Sequence, residues 1–124
     1  PEGTYLYNAK EQRLEGVQEG DFRREAGMQD FVTGAPLDIV IMYDEDLLQL
    51  DDKDMNKLLH RNVDRVVALD AGAVAQNIYL YCAANRLNVV ERMMVSEDAF
   101  RKAVGLSKKE HFVVALTVGY PPRS

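Results

Sequence analysis

The chain has one cysteine, Cys82, so it can form no internal disulfide, and such sparse use suits a reducing, cytoplasmic location. Cys82 lies between Tyr81 and Ala83 with no histidine near it in sequence, which suits a buried inert thiol better than a nucleophile. There are only two histidines, His60 and His111, far apart in sequence, and no CxxC, HxH or HExxH spacing that would hold a metal. A serine in a glycine elbow, a Walker loop and a GxGxxG turn are also missing. No apolar run approaches the roughly 20 residues that span a bilayer, so no membrane segment is expected. The opening PEGTYLYNAKEQ lacks the basic-then-apolar layout of a signal peptide, and it starts with Pro1 rather than Met. A net charge of −5 with no concentrated basic surface argues against nucleic acid. The densest basic run, Lys108-Lys109 with Arg101-Lys102 a turn earlier, reads as a solvated helix face.

What is present suits one domain, residues 1–124, able to bury a core without metal or disulfide staples. Thr4 to Asn8 alternates and is rich in β-formers, and Arg13 to Val17 is a second extended candidate, so the two predict an antiparallel hairpin. Asp21 is placed to cap a short helix over Phe22 to Gln29. After the break at Gly34-Ala35-Pro36, Leu37 to Tyr43 (LDIVIMY) reads as a central strand covered by helices. The acidic stretch Asp44 to Asp54 reads as a surface loop running into a helix N-terminus. It lacks the glycine turn and terminal Glu of a calcium loop.

From Lys53 to Arg86 there is no proline, and the spacing predicts a long helix. Its apolar stripe runs through Val63, Val66, Val67, Asp70, Ala73, Val74, Asn77, Leu80, Tyr81 and Ala84. Leu87 to Arg92 reads as a short strand. A helix follows, with Ser96 as N-cap, Phe100, Ala103 and Val104 as its buried face and Gly105 just past its end. His111 to Gly119 is a last apolar strand, stopped by Pro121-Pro122. The pattern predicts an α+β fold, a sheet with helices packed on it.

Residue chemistry by itself offers little. His60 reads as a polar-face residue and His111 as an exposed strand start. Arg92 ends a short apolar strand, where ligands of sheet proteins often sit. Its alternative is a surface ion pair with Glu91 or Glu97. Met93-Met94 offers soft apolar surface to a ligand or fills core.

Several segments, in order, resemble one family. GTYLYNAKEQRLEGVQEGDFR resembles the hairpin of nitroreductase relatives, and FVTGAPLDIVIMYD their entry into a central strand. DAGAVAQNIYLYCAANRL resembles their long dimer-interface helix, and LTVGYP their last core strand. The resemblance implies a nitroreductase-like fold, a central, mainly antiparallel sheet flanked by helices. It implies an FMN-dependent homodimer that oxidises NAD(P)H and reduces a nitroaromatic or quinone-like small-molecule acceptor by ping-pong kinetics. It places Val90, Glu91, Arg92, Met93 and Met94 beside the flavin ring and Arg123 near the FMN phosphate. No protein nucleophile is implied, because the ring carries the redox chemistry. Two departures accompany it. Met93 stands where relatives usually carry Gly. The relatives' Arg-Arg-Ser-x-Arg phosphate grip and Pro-Ser-x-x-Asn stretch have no match in Pro1 to Tyr43, so the chain resembles the C-terminal two-thirds of such a domain. The alternatives are a non-catalytic dimerising or ligand-binding remnant of the fold, and a peptide-modifying flavin dehydrogenase, whose hairpin is similar.

Overall fold

The computed structural model describes residues 1–123, which fall into two compact units. The first comprises Pro1–Gly34 and Met94–Lys108, the second Ala35–Met93 and the chain from Lys109 on.

The first unit opens with the predicted hairpin. β1 (Gly3–Asn8) and β2 (Arg13–Glu19) pair antiparallel, with Tyr7 opposite Leu14 and a bulge between Thr4 and Tyr5. Asn8 holds the turn: its Oδ1 accepts the Glu11 N–H at 3.1 Å and its amide donates to Glu15 Oε1 at 2.8 Å. Gly3 is required by close approach, since a Cβ there would sit 2.8 Å from the Gln18 carbonyl oxygen. The helix expected over Phe22 to Gln29 does not form. Asp21 does accept the Arg23 N–H at 3.1 Å, but the chain then makes only overlapping turns, with Ala26 N–H bonding to Phe22 O and Arg23 O. Gly27 then falls inside the expected span, where glycine costs about 1 kcal/mol relative to alanine in a helix. A one-turn helix, α1 (Asp30–Gly34), comes later instead.

In the second unit β3 (Leu37–Asp44) is not the central strand its apolar sequence suggests: it lies at the edge of a three-stranded antiparallel sheet of order β3-β5-β4, and β5 takes the centre. The sequence places one long helix next, but two form: α2 (Lys53–Arg61) and α3 (Val63–Ala84). Asn62 separates them. Its side-chain amide donates to Leu58 O at 2.9 Å, the acceptor its own N–H would use in a continuing helix, and that N–H turns to Leu59 O instead, which closes α2. Asp52 caps α2 by accepting the Asp54 and Met55 N–H groups at 3.0 and 2.8 Å. α3 ends through Arg86, which takes the left-handed conformation (φ 56°), while Leu87 N–H reaches back to Cys82 O.

α3 runs 22 residues and buries Ala71, Ala75 and Cys82, spaced i, i+4 and i+11. That face differs from the predicted stripe. Asp70, Ala73, Val74, Asn77, Leu80, Tyr81 and Ala84 are exposed. The small side chains let the helix lie close on the sheet, so they, and not the larger residues beside them, mark the covered face. By length and composition α3 also meets the description of a membrane span. The sequence expectation of no apolar run of that length is thus corrected: Asp70, Gln76 and Asn77 are too few to lower the mean hydropathy of α3 below that of a span.

β4 (Asn88–Arg92) and β3 flank β5 (Glu110–Gly119), whose residues Val114 to Val118 are all buried. Leu37, Ile39 and Ile41 lie opposite Val118, Leu116 and Val114 and form one apolar face. Together with α3 residues Val74, Tyr81 and Cys82, part of this face borders a cavity of about 340 Å³. Between β4 and β5, back in the first unit, α4 (Glu97–Val104) ends at Gly105 (φ 75°) as expected. Its start differs. Ser96 occupies the cap position, but its side chain makes no capping hydrogen bond.

Candidate functional site

Alternation along the strands sends Asp38, Thr117, Val90 and Arg92 to the sheet face opposite α3. Arg92 ends β4 paired with Ala115, and its guanidinium reaches two residues along β5. Its Nε donates to Thr117 Oγ1 at 2.6 Å and its Nη2 to Asp38 Oδ1 at 3.0 Å. The Thr117 hydroxyl donates to that same Asp38 oxygen at 2.6 Å. The Arg92 and Asp38 side chains are only 2% and 5% exposed. Arg92 is therefore neither an outward charge at the sheet edge nor a surface partner of Glu91 or Glu97. Its preference for two acceptors over solvent follows from geometry, because the guanidinium fork meets both oxygens at once. Sequence reasoning missed Asp38 and Thr117. The signal was one acid and one hydroxyl inside otherwise apolar strands, LDIVIMY and HFVVALTVG.

The neighbours of Arg92 behave differently. Val90 is partly open on the same face, while Met93, the first residue after the strand, is 74% exposed. Met94, with which the first unit resumes, is also exposed, and its carbonyl accepts the Met28 N–H at 3.1 Å. The core-filling alternative for the two methionines is thus ruled out. Glu91 is exposed, and its backbone N–H donates to the Tyr79 hydroxyl at 2.7 Å, which ties β4 to α3. Arg123 is exposed in the tail beyond β5. The structure thus strings Val90, Glu91, Arg92 and Met93 along one strand end, and it does not bring Arg123 to them, because the tail leaves beside Asn88 at the other end of β4.

These residues can be tested against the needs of a flavin nucleotide, which are apolar surface for the ring and a cation for the phosphate. Val90 and Met93 supply exposed, polarisable apolar surface. Arg92 is committed to Asp38 and Thr117, which leaves Arg123 as the cation of the set. The exposed apolar end of β4 suits the ring, whereas Arg123 follows Gly119, the partner of Asn88, and so leaves the sheet at the opposite end of β4.

Elsewhere in the second unit, His111 stacks on Tyr43 with ring centroids 4.8 Å apart, and its Nε2 pairs with Glu45. It is half-buried and not an exposed strand start. Lys109 donates to Asp46 at 2.9 Å, and that hydrogen bond raises its pKa above the usual lysine value. The acidic stretch is thus occupied internally: Glu45 and Asp46 pair with β5 and its approach, and Asp52 caps α2. In the first unit, hydrogen bonds from Arg23 lower the Asp21 pKa to about 2. His60 is exposed on α2 and Cys82 is buried. Among the described residues no group of three His, Cys, Asp or Glu could hold a metal ion.

A family model described as "Nitroreductase family" matches residues 4–120. Among solved structures, a protein of Ralstonia eutropha JMP134 classed as a nitroreductase is 30% identical with a TM-score of 0.78. That match covers 98% of this chain and 55% of the Ralstonia protein. A protein of Anabaena variabilis ATCC 29413, also classed as a nitroreductase, is 23% identical with a TM-score of 0.78, over 97% of this chain and 24% of its own. A protein of Clostridium acetobutylicum classed as an NADH oxidase is 21% identical with a TM-score of 0.55, over 82% of this chain and 57% of its own. The last two are likenesses of fold. This chain thus spans about half the length of the Ralstonia protein and about a quarter of the Anabaena one. No curated protein matches it.

Proposed function

This chain belongs to the nitroreductase family, and from that membership we propose that it serves an FMN-dependent oxidoreductase that takes electrons from NAD(P)H and passes them to a nitroaromatic or quinone-like acceptor. The expected α+β architecture, with an antiparallel sheet and a long helix, supports this reading. The observation that carries it at the site is the end of β4. There an exposed apolar strand end, Val90 and Met93, stands on a buried ion pair. In this proposal Val90, Glu91 and Met93 line the ring through side chains and backbone, and Arg123 meets the phosphate. When bound, FMN supplies a ring that accepts a hydride and gives up electrons to the second substrate. The chain's own part is to bind, orient and shield that ring. No side chain is needed as nucleophile, which agrees with the inert setting of Cys82.

The proposal includes a cytoplasmic homodimer that binds neither membrane nor nucleic acid. α3 supports the dimer: Leu69, Val74, Leu80 and Tyr81 stand exposed along it, more apolar surface than a monomer usually leaves on one helix. The paired face Ala71, Ala75 and Cys82 supports a helix that packs in protein and not in lipid.

A visible absorbance scan tests the reading. The purified protein is scanned before and after incubation with excess FMN and desalting. Retained flavin bands, with NAD(P)H oxidation in the presence of a quinone, are the expected result. Colourless protein that cannot be reconstituted would overturn it and favour a non-catalytic dimerising or ligand-binding module, a second reading motivated by the lack of a phosphate-grip motif in Pro1 to Tyr43.

A further inference from the structure

We propose that Arg92 is a positioning residue: with Thr117 and Asp38 it clamps the end of β4 to β5 and β3 and so sets where Met93 leaves the sheet. The link to flavin chemistry rests on the reading above, but the clamp itself does not.

The geometry is specific. The two donating nitrogens of one guanidinium engage two different strands, at 2.6 Å on β5 and 3.0 Å on β3. Thr117 and Asp38, register partners, are locked to each other by a third bond. The last residue of β4 is thus tied across the whole width of the sheet, one residue before the exposed Met93.

Stability alone does not explain the choice. Three apolar residues in these places would avoid removing two charges from water, and such replacements are often neutral or stabilising. The cost is visible here: Asp38 Oδ2 is buried and, among the described residues, has no hydrogen-bond partner. What the polar trio has and an apolar one lacks is direction. Hydrogen bonds of 2.6 to 3.0 Å fix the orientation of donor and acceptors, whereas apolar contacts are non-directional. Lysine could supply the charge but not the two-pronged reach.

The test compares the full chain with D38N, T117V, R92K and R92M by native-state hydrogen exchange of residues 90–93 and of β3 and β5, alongside the absorbance spectrum and reduction potential of added FMN. D38N and R92M are expected to speed exchange at residues 90–93 by about tenfold or more beyond any rise they cause elsewhere in β3 and β5. T117V and R92K should fall between those variants and wild type. In protein that binds FMN, D38N and R92M should also shift the flavin bands and the potential. Unchanged exchange at residues 90–93, or an equal rise throughout β3, β4 and β5, would overturn the clamp. If exchange rises locally but the bound flavin keeps its spectrum and potential, the clamp stands and its influence on the flavin is overturned. If wild type binds no FMN, the flavoenzyme reading fails by itself, and the exchange pattern still decides the clamp.

Discussion

Thr117 and Asp38 face each other across β5 and β3, and the Thr117 hydroxyl donates at 2.6 Å to the same carboxylate oxygen that Arg92 holds at 3.0 Å. One buried oxygen therefore joins three strands. Removing any member strands the others.

Arg92→Met alone is expected to destabilise the protein by about 3–5 kcal/mol, because it leaves the Asp38 charge buried and uncompensated. The triple replacement Arg92→Met, Asp38→Leu and Thr117→Val should cost less than that single change. Urea unfolding followed by circular dichroism checks both. A triple variant that unfolds more easily than R92M would contradict the account of desolvation given for this trio.

If Arg123 meets the FMN phosphate, Arg123→Ala should weaken FMN binding by about tenfold, the worth of one charge-assisted contact. Riboflavin, which lacks the phosphate, should bind wild type and variant alike. Fluorescence titration with both flavins separates the outcomes, and an equal loss for the two would assign Arg123 another role.

Leu80→Asp places a charge on the exposed apolar side of α3, away from the buried Ala71, Ala75 and Cys82. It should shift a dimer toward monomer in sedimentation velocity while far-ultraviolet circular dichroism stays the same. An unchanged sedimentation coefficient would move the dimer interface away from this face.

Asp21 is held near a pKa of about 2 by hydrogen bonds from Arg23, below its ordinary value of 3.8. A depressed carboxylate pKa contributes stability that is present above the ordinary value and lost as pH falls through the folded one. The turn at residues 21–26 should therefore loosen between pH 3.8 and about 2. Lys109 has the opposite sign: its raised pKa ties it to Asp46 below the usual lysine range, and the tie is lost as pH rises through the folded value. NMR titration of the Asp21 carboxyl carbon should show the low midpoint, and Arg23→Gln should return it toward the ordinary value.

Cys82 is 2% exposed, so a thiol reagent should label it only when α3 lifts from the sheet. Labelling in native buffer should be slow and should accelerate in step with urea unfolding. Rapid labelling of the native protein would mean that the apolar cavity beside Cys82 admits the reagent.

Much of this molecule could be read along the chain. The β1–β2 hairpin, the extended segments that become β3 and β5 and the stop at Gly105 follow from local causes: alternation, β-branched content, and a glycine where the backbone must turn left-handed, but that β5 and not β3 is the central strand does not. The inert thiol at Cys82 and the family resemblance were legible for the same reason, since both rest on residues adjacent in sequence. What the tertiary structure decided depends on partners far apart in the chain. Asn62 splits the helix through its own side chain, a choice that periodicity does not express. Which face of α3 is covered was set by closeness of approach to the sheet, so alanines were buried while larger apolar residues stayed outside. Arg92 shows the difference most plainly. From sequence it is a charge at a strand end. Only pairing across β5 brings Thr117 and Asp38, 25 and 54 residues away, within hydrogen-bond reach and turns an apparent surface residue into a buried tie. Hydrophobic pattern specifies elements because it acts over a few residues, whereas a buried charge is tolerated only where the folded chain supplies its partner.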